Sequence, residues 1–249
     1  HLKAAILRHL GRKEEALSLI EESLRIDRFN FGCGFEKFLL TGSDADWQAL
    51  VSLMRPEAHN YEELALDYAS AGCWEEALMA AETAIGQNVS GQTMLHYYKS
   101  WFLIQLDRKE EALAAIREAE QQLPDCCFPN VLEAILALQS VIGFATETPK
   151  ALYYLGNLWY DKRQYPEAIT CWETSMQQDD TFPTVLRNLS LAYFNKLNRQ
   201  EEAVTLLEKA FALDMTDARI LMELDQLYKR LNRSHEDRLA FLKKHKDIA

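Results

Sequence analysis

The stretch that decides the fold is residues 155–168, LGNLWYDKRQYPEA, in which two helical patterns flank a polar turn. Leu155 and Trp159 are four residues apart, so they share one face of a helix that also carries the small residue Gly156. Arg163 marks the turn, and Ala168 lies on the packed face of a second helix. The stretch therefore predicts a helical hairpin.

The second half of this pattern recurs along the chain, where acidic residues precede an alanine at Ala16, Ala77, Ala112, Ala168 and Ala203. An apolar residue follows each alanine by four positions, at Ile20, Ala81, Ile116, Trp172 and Leu207. A small residue follows by seven, at Ser23, Ala84, Ala119, Ser175 and Ala210. These spacings place all three on one helical face, which predicts a helix packed closely against its neighbours.

The first half of the pattern also recurs, with an aromatic residue nine or ten positions before the alanine. It is clearest in Leu64-Ala65 with Tyr68, Leu155-Gly156 with Trp159, and Leu189-Ser190 with Tyr193. The turns between the two helices are marked by Gly11, Gly72, Asp107, Arg163 and Leu197-Asn198. Each unit is therefore predicted to be a helical hairpin.

With these motifs the chain resembles a tetratricopeptide repeat array, and Ala77 and Ala112, like Ala168 and Ala203, are 35 positions apart. Leu155-Gly-x-x-Trp159 and the repeat-ending Pro124 add to the resemblance, which covers nearly the whole chain. It implies an all-α fold: a right-handed α-α superhelix of about six hairpins forming a single domain over 1–249. Regular hairpins are expected at about 1–28, 60–88, 94–122, 149–179 and 183–214.

Three regions depart from the regular repeat. A degenerate hairpin is predicted at 30–56, with Trp47 where the alanine belongs. The long interval between Ala112 and Ala168 predicts an inserted helix at about 130–140. The last hairpin, 217–247, has Arg238 at the alanine position and is predicted to cap the array with a solvated outer face.

The composition of the 249 residues favours an all-α protein, because there are only 9 glycines and 6 prolines. The net charge of −11 argues against a nucleic-acid partner, and no apolar stretch is long enough to span a membrane. Five cysteines without a CxxC pair indicate neither a disulfide framework nor a zinc site, and favour a reducing, cytoplasmic compartment. The adjacent Cys126 and Cys127 are interpreted as ordinary thiols rather than as a redox pair.

No pattern of catalytic residues is present in the sequence. The Glu-Glu pairs recur in the first turn of a helix, where negative charge is favoured by the helix dipole, so they are interpreted as structural. The six histidines lack HxxxH or HExxH spacing, and there is no Gly-rich phosphate loop or nucleophile elbow. The sequence predicts no enzyme activity, no cofactor and no metal site.

The remaining candidate for function is the concave groove that the first helices of stacked hairpins line. Aromatic and arginine residues on this stripe are typical of binding hot spots, although aromatic residues at helical spacing also pack between units. The candidate binding residues are Tyr97, Trp101, Tyr153, Asn157, Tyr160, Arg187, Asn188, Phe194 and Arg219.

Some tetratricopeptide arrays bind the C termini of chaperones through a clamp of Lys, Asn, Asn, Lys and Arg. The matching positions here are Tyr153, Asn157, Asn188, Arg219 and Glu223. The first lysine is absent, and Glu223 would repel a carboxylate where the clamp has an arginine. The chaperone clamp is therefore rejected, while Asn157, Asn188 and Arg219 are kept as polar contacts.

A narrower resemblance involves Tyr154-Leu-Gly-Asn-Leu, Tyr165-Pro-Glu-Ala-Ile, Phe182-Pro-Thr-Val with Arg187-Asn-Leu, and Asp225-Gln-Leu-Tyr-Lys-Arg-Leu. These segments resemble the rear repeat region of large uncharacterised bacterial proteins, whose front part is a β-rich domain similar to carbohydrate-active enzymes. The start of the chain at His1 reads as a helix interior and predicts a piece of a longer protein.

Two functions follow from these patterns. The first is a non-catalytic interaction or scaffolding module that presents its groove to a protein or peptide partner. The alternative is an accessory repeat region of a carbohydrate-processing enzyme, in which the partner is an upstream domain of the same chain.

Overall fold

The computed structural model describes residues 1–89, 91–124 and 127–248, and Cys126 of the predicted cysteine pair lies outside them. The chain divides into two compact units, His1–Cys127 and Phe128–Ala249, called here the first and the second unit. Within the described residues the regular elements are helices. This confirms the all-α prediction. No helix in the described ranges has the length and the apolar content that a bilayer-spanning segment needs.

In its described residues the first unit contains four hairpins of paired helices. They are α1 (Leu2–His9) with α2 (Lys13–Ile26), α3 (Phe31–Thr41) with α4 (Asp44–Met54), α5 (Ala58–Ser70) with α6 (Trp74–Gly86), and α7 (Thr93–Gln105) with α8 (Lys109–Gln121). The degenerate hairpin predicted at 30–56 is thus a pair of ordinary helices, in which Trp47 packs on Phe38 with ring centroids 4.7 Å apart.

The second unit begins with the predicted inserted helix, α9 (Leu132–Phe144). Three hairpins follow in its described residues: α10 (Pro149–Asp161) with α11 (Tyr165–Gln178), α12 (Pro183–Ala192) with α13 (Gln200–Leu213), and α14 (Ala218–Arg230) with α15 (His235–Lys244). A π-helical turn, Tyr193–Leu197, extends α12.

The turns between paired helices lie where the sequence predicted them and use the left-handed backbone region. Gly11 and Gly72 have φ of +73° and +75°, and Asp107, Arg163 and Asn198 take positive φ at the equivalent turns. The amides of Ala71 and Cys73 then both donate to the carbonyl of Tyr68, at 3.1 and 2.9 Å, which satisfies this carbonyl at the end of α5. These turns reverse the chain within a few residues and so bring the paired helices together.

The alanine series forms the closely packed face of the second helices, as predicted. Each of the five is 0% exposed: Ala16, Ala77, Ala112, Ala168 and Ala203. Each alanine buries little apolar surface area. Because the side chain is small, however, it lets the paired helices pack at a short distance from each other.

The last hairpin has a solvated outer helix, as expected, since none of the residues of α15 is buried. The Arg238 side chain is 16% exposed and donates to the Asp225 carboxylate at 2.6 and 2.9 Å. This pair joins α15 to α14, since a charged side chain at the alanine position is tolerated when an opposite charge meets it.

Candidate interaction surface

Polar side chains link the first helices of the three hairpins in the second unit. Asn188 of α12 donates to Asn157 Oδ1 of α10 at 3.0 Å, and Arg187 Nη1 donates to Asn188 Oδ1 at 3.1 Å. Arg187 also forms a bidentate pair with Glu223 of α14, with its Nε 2.7 Å from Oε2. Asn157, Asn188, Arg187 and Glu223 therefore form one continuous line of contacts, the amide row, across α10, α12 and α14.

The orientation of both amides in the row is fixed by groups that can only donate. Trp172 Nε1 of α11 donates to Asn157 Oδ1 at 3.2 Å, and the Arg187 guanidinium donates to Asn188 Oδ1. Indole and guanidinium have no acceptor, so each amide must present its oxygen to them. The Nδ2 group of Asn157 is then left as a donor with no partner in the described part of the chain.

Gly156 is the reason that Trp172 can reach the amide row. A Cβ at position 156 would lie 2.5 Å from Trp172 Cδ1, well inside contact distance. The indole therefore packs directly on the α10 backbone and also donates to the carbonyl of Tyr153 at 3.2 Å. The glycine in the Leu155-Gly156 pattern thus sets the position of Asn157 through Trp172.

Half-buried aromatic rings continue this face of α10 and α12. Tyr160 packs against Trp172 and Tyr165, with ring centroids 5.3 and 5.0 Å away, and Lys196 Nζ lies 3.8 Å from the Tyr165 centroid. The ring of Phe194 has the guanidinium of Arg230 5.5 Å from its centroid. The surface beside the amide row is therefore aromatic with cationic edges.

Three other candidate residues are buried. Tyr153 is 6% exposed and packs on Phe182, with ring centroids 4.9 Å apart. In the first unit, Tyr97 is 0% exposed and its hydroxyl donates to Glu120, while Trp101 packs on Trp74 at 5.4 Å. Their aromatic spacing is therefore used for packing inside each unit.

Some of the positions matched to the chaperone clamp make side-chain contacts, and one of them is exposed. Asn157 and Asn188 are in contact, as above, whereas Arg219 lies exposed in the first turn of α14 with no side-chain partner in the described residues. Glu223 is neutralised by Arg187, so the charge that argued against the chaperone clamp is part of an ion pair. The paired arginine is not free to bind a ligand carboxylate.

The first unit holds a charged cluster that the sequence did not predict. Glu36 of α3 is 0% exposed and accepts from Arg8 of α1 at 2.8 and 3.1 Å and from the Tyr68 hydroxyl of α5 at 2.7 Å. Arg8 also donates to Glu76 Oε1 of α6 at 2.7 Å. The hydrogen bond to Glu36 raises the pKa of Arg8, and burial raises the pKa of Tyr68. The cluster ties together four helices of the first unit.

His9 and Cys73 lie beside this cluster. His9 Nε2 is 3.0 Å from Glu76 Oε1 and 4.0 Å from Cys73 Sγ, and one ligand atom from each of the three residues lies within 4.8 Å of the others. Burial and the charge of Glu76 raise the pKa of the Cys73 thiol. Burial by itself would raise the pKa of Glu76, but the Arg8 hydrogen bond and charge outweigh it, so that pKa is lowered.

The repeat pattern indicates why Glu76 contacts Arg8 and His9. Cys73 precedes α6 at the position that arginine occupies before three other second helices, at Arg12, Arg108 and Arg199. Each of those arginines pairs with the glutamate three residues later, as Arg108 does with Glu111 at 2.8 Å. With cysteine at position 73, Glu76 has no such local partner and turns to Arg8 and His9 of α1.

Comparison with known families matches three segments of the chain. Models described as tetratricopeptide repeat match residues 1–30, 62–125 and 149–182. The matched segments cover hairpins α1–α2, α5–α8 and α10–α11, which are regular hairpins of the sequence prediction.

Solved structures with similarity to the chain include two proteins. A crystal structure of MamA has 12% identity and a TM-score of 0.45, and the match covers 74% of this chain and 94% of that one. The structure of MamA from Desulfovibrio magneticus RS-1 has 17% identity and a TM-score of 0.43, and the match covers 78% of this chain and 96% of that one. YrrB, described as a TPR protein with an unusual peptide-binding site, has 16% identity and a TM-score of 0.35, covering 83% and 97%.

Proposed function

The chain belongs to the tetratricopeptide repeat family, and from this premise we propose that it is a non-catalytic protein interaction module whose ligand surface is the amide row and its aromatic border. Repeat proteins of this kind present stacked helices as an extended binding surface. The proposed ligand is an extended peptide segment, from another protein or from another domain.

The observation that supports the proposal most directly is the free donor on Asn157. The amide is held in one orientation by Trp172 and Asn188, so its Nδ2 group is preorganised and loses little freedom when it meets a ligand. A peptide carbonyl is the acceptor that such a donor fits, because an extended peptide offers one carbonyl per residue on alternating sides.

The charges of the surface indicate which part of a peptide binds. Arg187 already holds Glu223 in a bidentate pair, so a C-terminal carboxylate would have to displace an existing ion pair. An internal segment needs no such exchange. Tyr160 and Phe194 then offer apolar contact to its side chains, while Lys196 and Arg230 favour an acidic residue at the edge.

The proposal is tested with peptides selected from a displayed library of random sequences, whose Kd values are then measured by calorimetry. In the Asn157→Asp variant, the remaining carboxylate oxygen still accepts from Trp172 and Asn188, but the free donor is lost. We expect Kd to rise at least about tenfold, the equivalent of one hydrogen bond of about 1.4 kcal/mol.

The matched control is Gln177→Glu, which makes the same change of amide to carboxylate at an exposed position of the second helix α11. It should leave Kd unchanged. Selected peptides that bind equally well to Asn157→Asp would contradict the assigned surface. Failure to select any peptide would contradict binding in trans and would favour the alternative of an accessory repeat region that packs on its own upstream domain.

A further inference from the structure

We propose that His9, Cys73 and Glu76 form a binding site for one zinc ion in the first unit. Their ligand atoms are an imidazole nitrogen, a thiol sulfur and a carboxylate oxygen, all within 4.8 Å of one another. Nitrogen and sulfur ligands select zinc over the hard cations magnesium and calcium. The site is separate from the amide row, which belongs to the second unit.

The distances suit a tetrahedral ion after a small movement. Zinc bonds of about 2.0–2.3 Å at tetrahedral angles separate neighbouring ligand atoms by roughly 3.3–3.6 Å. The observed separations are 3.0 Å between His9 Nε2 and Glu76 Oε1 and 4.0 Å between His9 Nε2 and Cys73 Sγ. The His9 side chain is 53% exposed, so its ring can adjust these two separations without repacking the interior. The third separation, between Cys73 Sγ and the Glu76 carboxylate, lies within 4.8 Å and closes by rotation of the half-buried Cys73 side chain.

The charges around the site favour a divalent cation. Arg8 contributes one positive charge, and Glu36 and Glu76 contribute two negative charges, so the cluster has an uncompensated negative charge. Deprotonation of Cys73 on binding would add a second, which an ion of charge +2 neutralises in full. Arg8 Nη2 donates to the same Glu76 Oε1 at 2.7 Å, so the ion would bind a remaining lone pair of this carboxylate, while the buried Glu36 also holds the guanidinium.

The three ligands come from parts of the chain that are far apart in sequence, so a bound ion would act as a cross-link. His9 ends α1, and Cys73 and Glu76 lie at the start of α6. A bound ion would join the first hairpin to the third, and its fourth position would be open to water. Because binding stabilises only the folded state, it should raise the melting temperature of the protein.

The test uses the full chain, freed of metal with a chelator and kept reduced. Titration with Co²⁺ should give one ion per chain, with the thiolate-to-cobalt charge-transfer absorption that reports a cysteine ligand, and Zn²⁺ should displace it. Affinity should fall as pH is lowered, because the Cys73 thiol must lose its proton before it binds. Binding of Zn²⁺ should raise Tm.

Variants distinguish this site from other thiols and histidines. Cys73→Ser should abolish the charge-transfer band. His9→Gln should weaken Zn²⁺ binding by more than 10–100-fold, the usual cost of losing a residue that only hydrogen-bonds to a metal ligand. The matched controls are Cys171→Ser on α11 and His59→Gln, whose side chain faces Glu63 at 3.1 Å with no thiol. Both should bind as the wild type does.

The proposal is overturned if no ion binds at one per chain, if the band persists in Cys73→Ser, or if a control variant loses binding equally. Tm of each metal-free variant is measured first. A Cys73→Ser protein that melts like the wild type without metal but gains no Tm from Zn²⁺ supports the site. A protein that gains as much as the wild type contradicts it.

Discussion

At the scale of single residues, Gly156 shows how one small side chain controls a surface. Its lack of a Cβ lets Trp172 pack on the α10 backbone and donate to Asn157, so an interior contact fixes a polar group at the surface. Any larger residue must push the indole away or bend the helix, because the interior is closely packed.

We predict that Gly156→Ala lowers the free energy of unfolding by about 1–3 kcal/mol, the usual cost of an overpacked core. The control is Gly143→Ala in α9, where an added Cβ meets no atom within 4 Å and where alanine should stabilise the helix by about 0.5–1 kcal/mol. Urea denaturation of both variants checks the prediction. Equal effects in the two would show that Trp172 does not restrict position 156.

The sequence predicted close packing at Gly156, but it did not predict the charged cluster around Glu36. The glycine belongs to a pattern that repeats every 35 residues or so, and periodicity is visible in one sequence. Arg8 and Glu36 are 28 residues apart, and Arg8 and Glu76 are 68 apart. Such pairs form only because three hairpins stack, so no local spacing reveals them.

At the scale of elements, the π-helical turn at the end of α12 has a cause in the repeat. Tyr193 precedes its alanine, Ala203, by ten positions, whereas Tyr68 precedes Ala77 and Trp159 precedes Ala168 by nine. A π turn takes up one additional residue within a helix. The Tyr193–Leu197 turn therefore absorbs the extra residue and keeps Ala203 on its buried face.

Deleting Asn195, an exposed residue in this turn, is predicted to restore a regular helix. Tm should change by less than about 4 °C, the shift that about 1 kcal/mol produces in a chain of this size. Deleting the exposed Asp161 at the end of α10 is the control. It shortens the spacing from Trp159 to Ala168 from nine positions to eight, so it should lower Tm much more. Thermal denaturation followed by circular dichroism compares the two. Similar losses would rule out the extra-residue explanation.

At the scale of the whole molecule, each unit has enough repeats to form its own core. The first unit has four hairpins and the second has three preceded by α9, counted over the described residues. Stacked repeats generally need three or more copies before their shared core is stable. The described helices lie in the ranges where the sequence predicted hairpins, although 30–56 and 217–247 depart from the alanine pattern. The single array over 1–249 stays a prediction.

We predict that residues 1–127 and residues 128–249, produced separately, each fold into a helical protein with a cooperative thermal transition. A shorter piece, 183–249, has only two hairpins and should melt without cooperativity. Circular dichroism and calorimetry on the three fragments check this. A non-cooperative 128–249 fragment would mean that the second unit needs the first to fold.

Trp172 also provides the proposed ligand surface with an intrinsic optical reporter. Its indole is buried and is hydrogen-bonded to the same Asn157 amide that is proposed to donate to the ligand. Occupation of that amide will change the polarity that the indole senses, and hence its fluorescence. The emission lost in Trp172→Phe without ligand identifies the contribution of Trp172 among the five tryptophans, so the change of that emission on ligand binding can be followed in the wild type without a label.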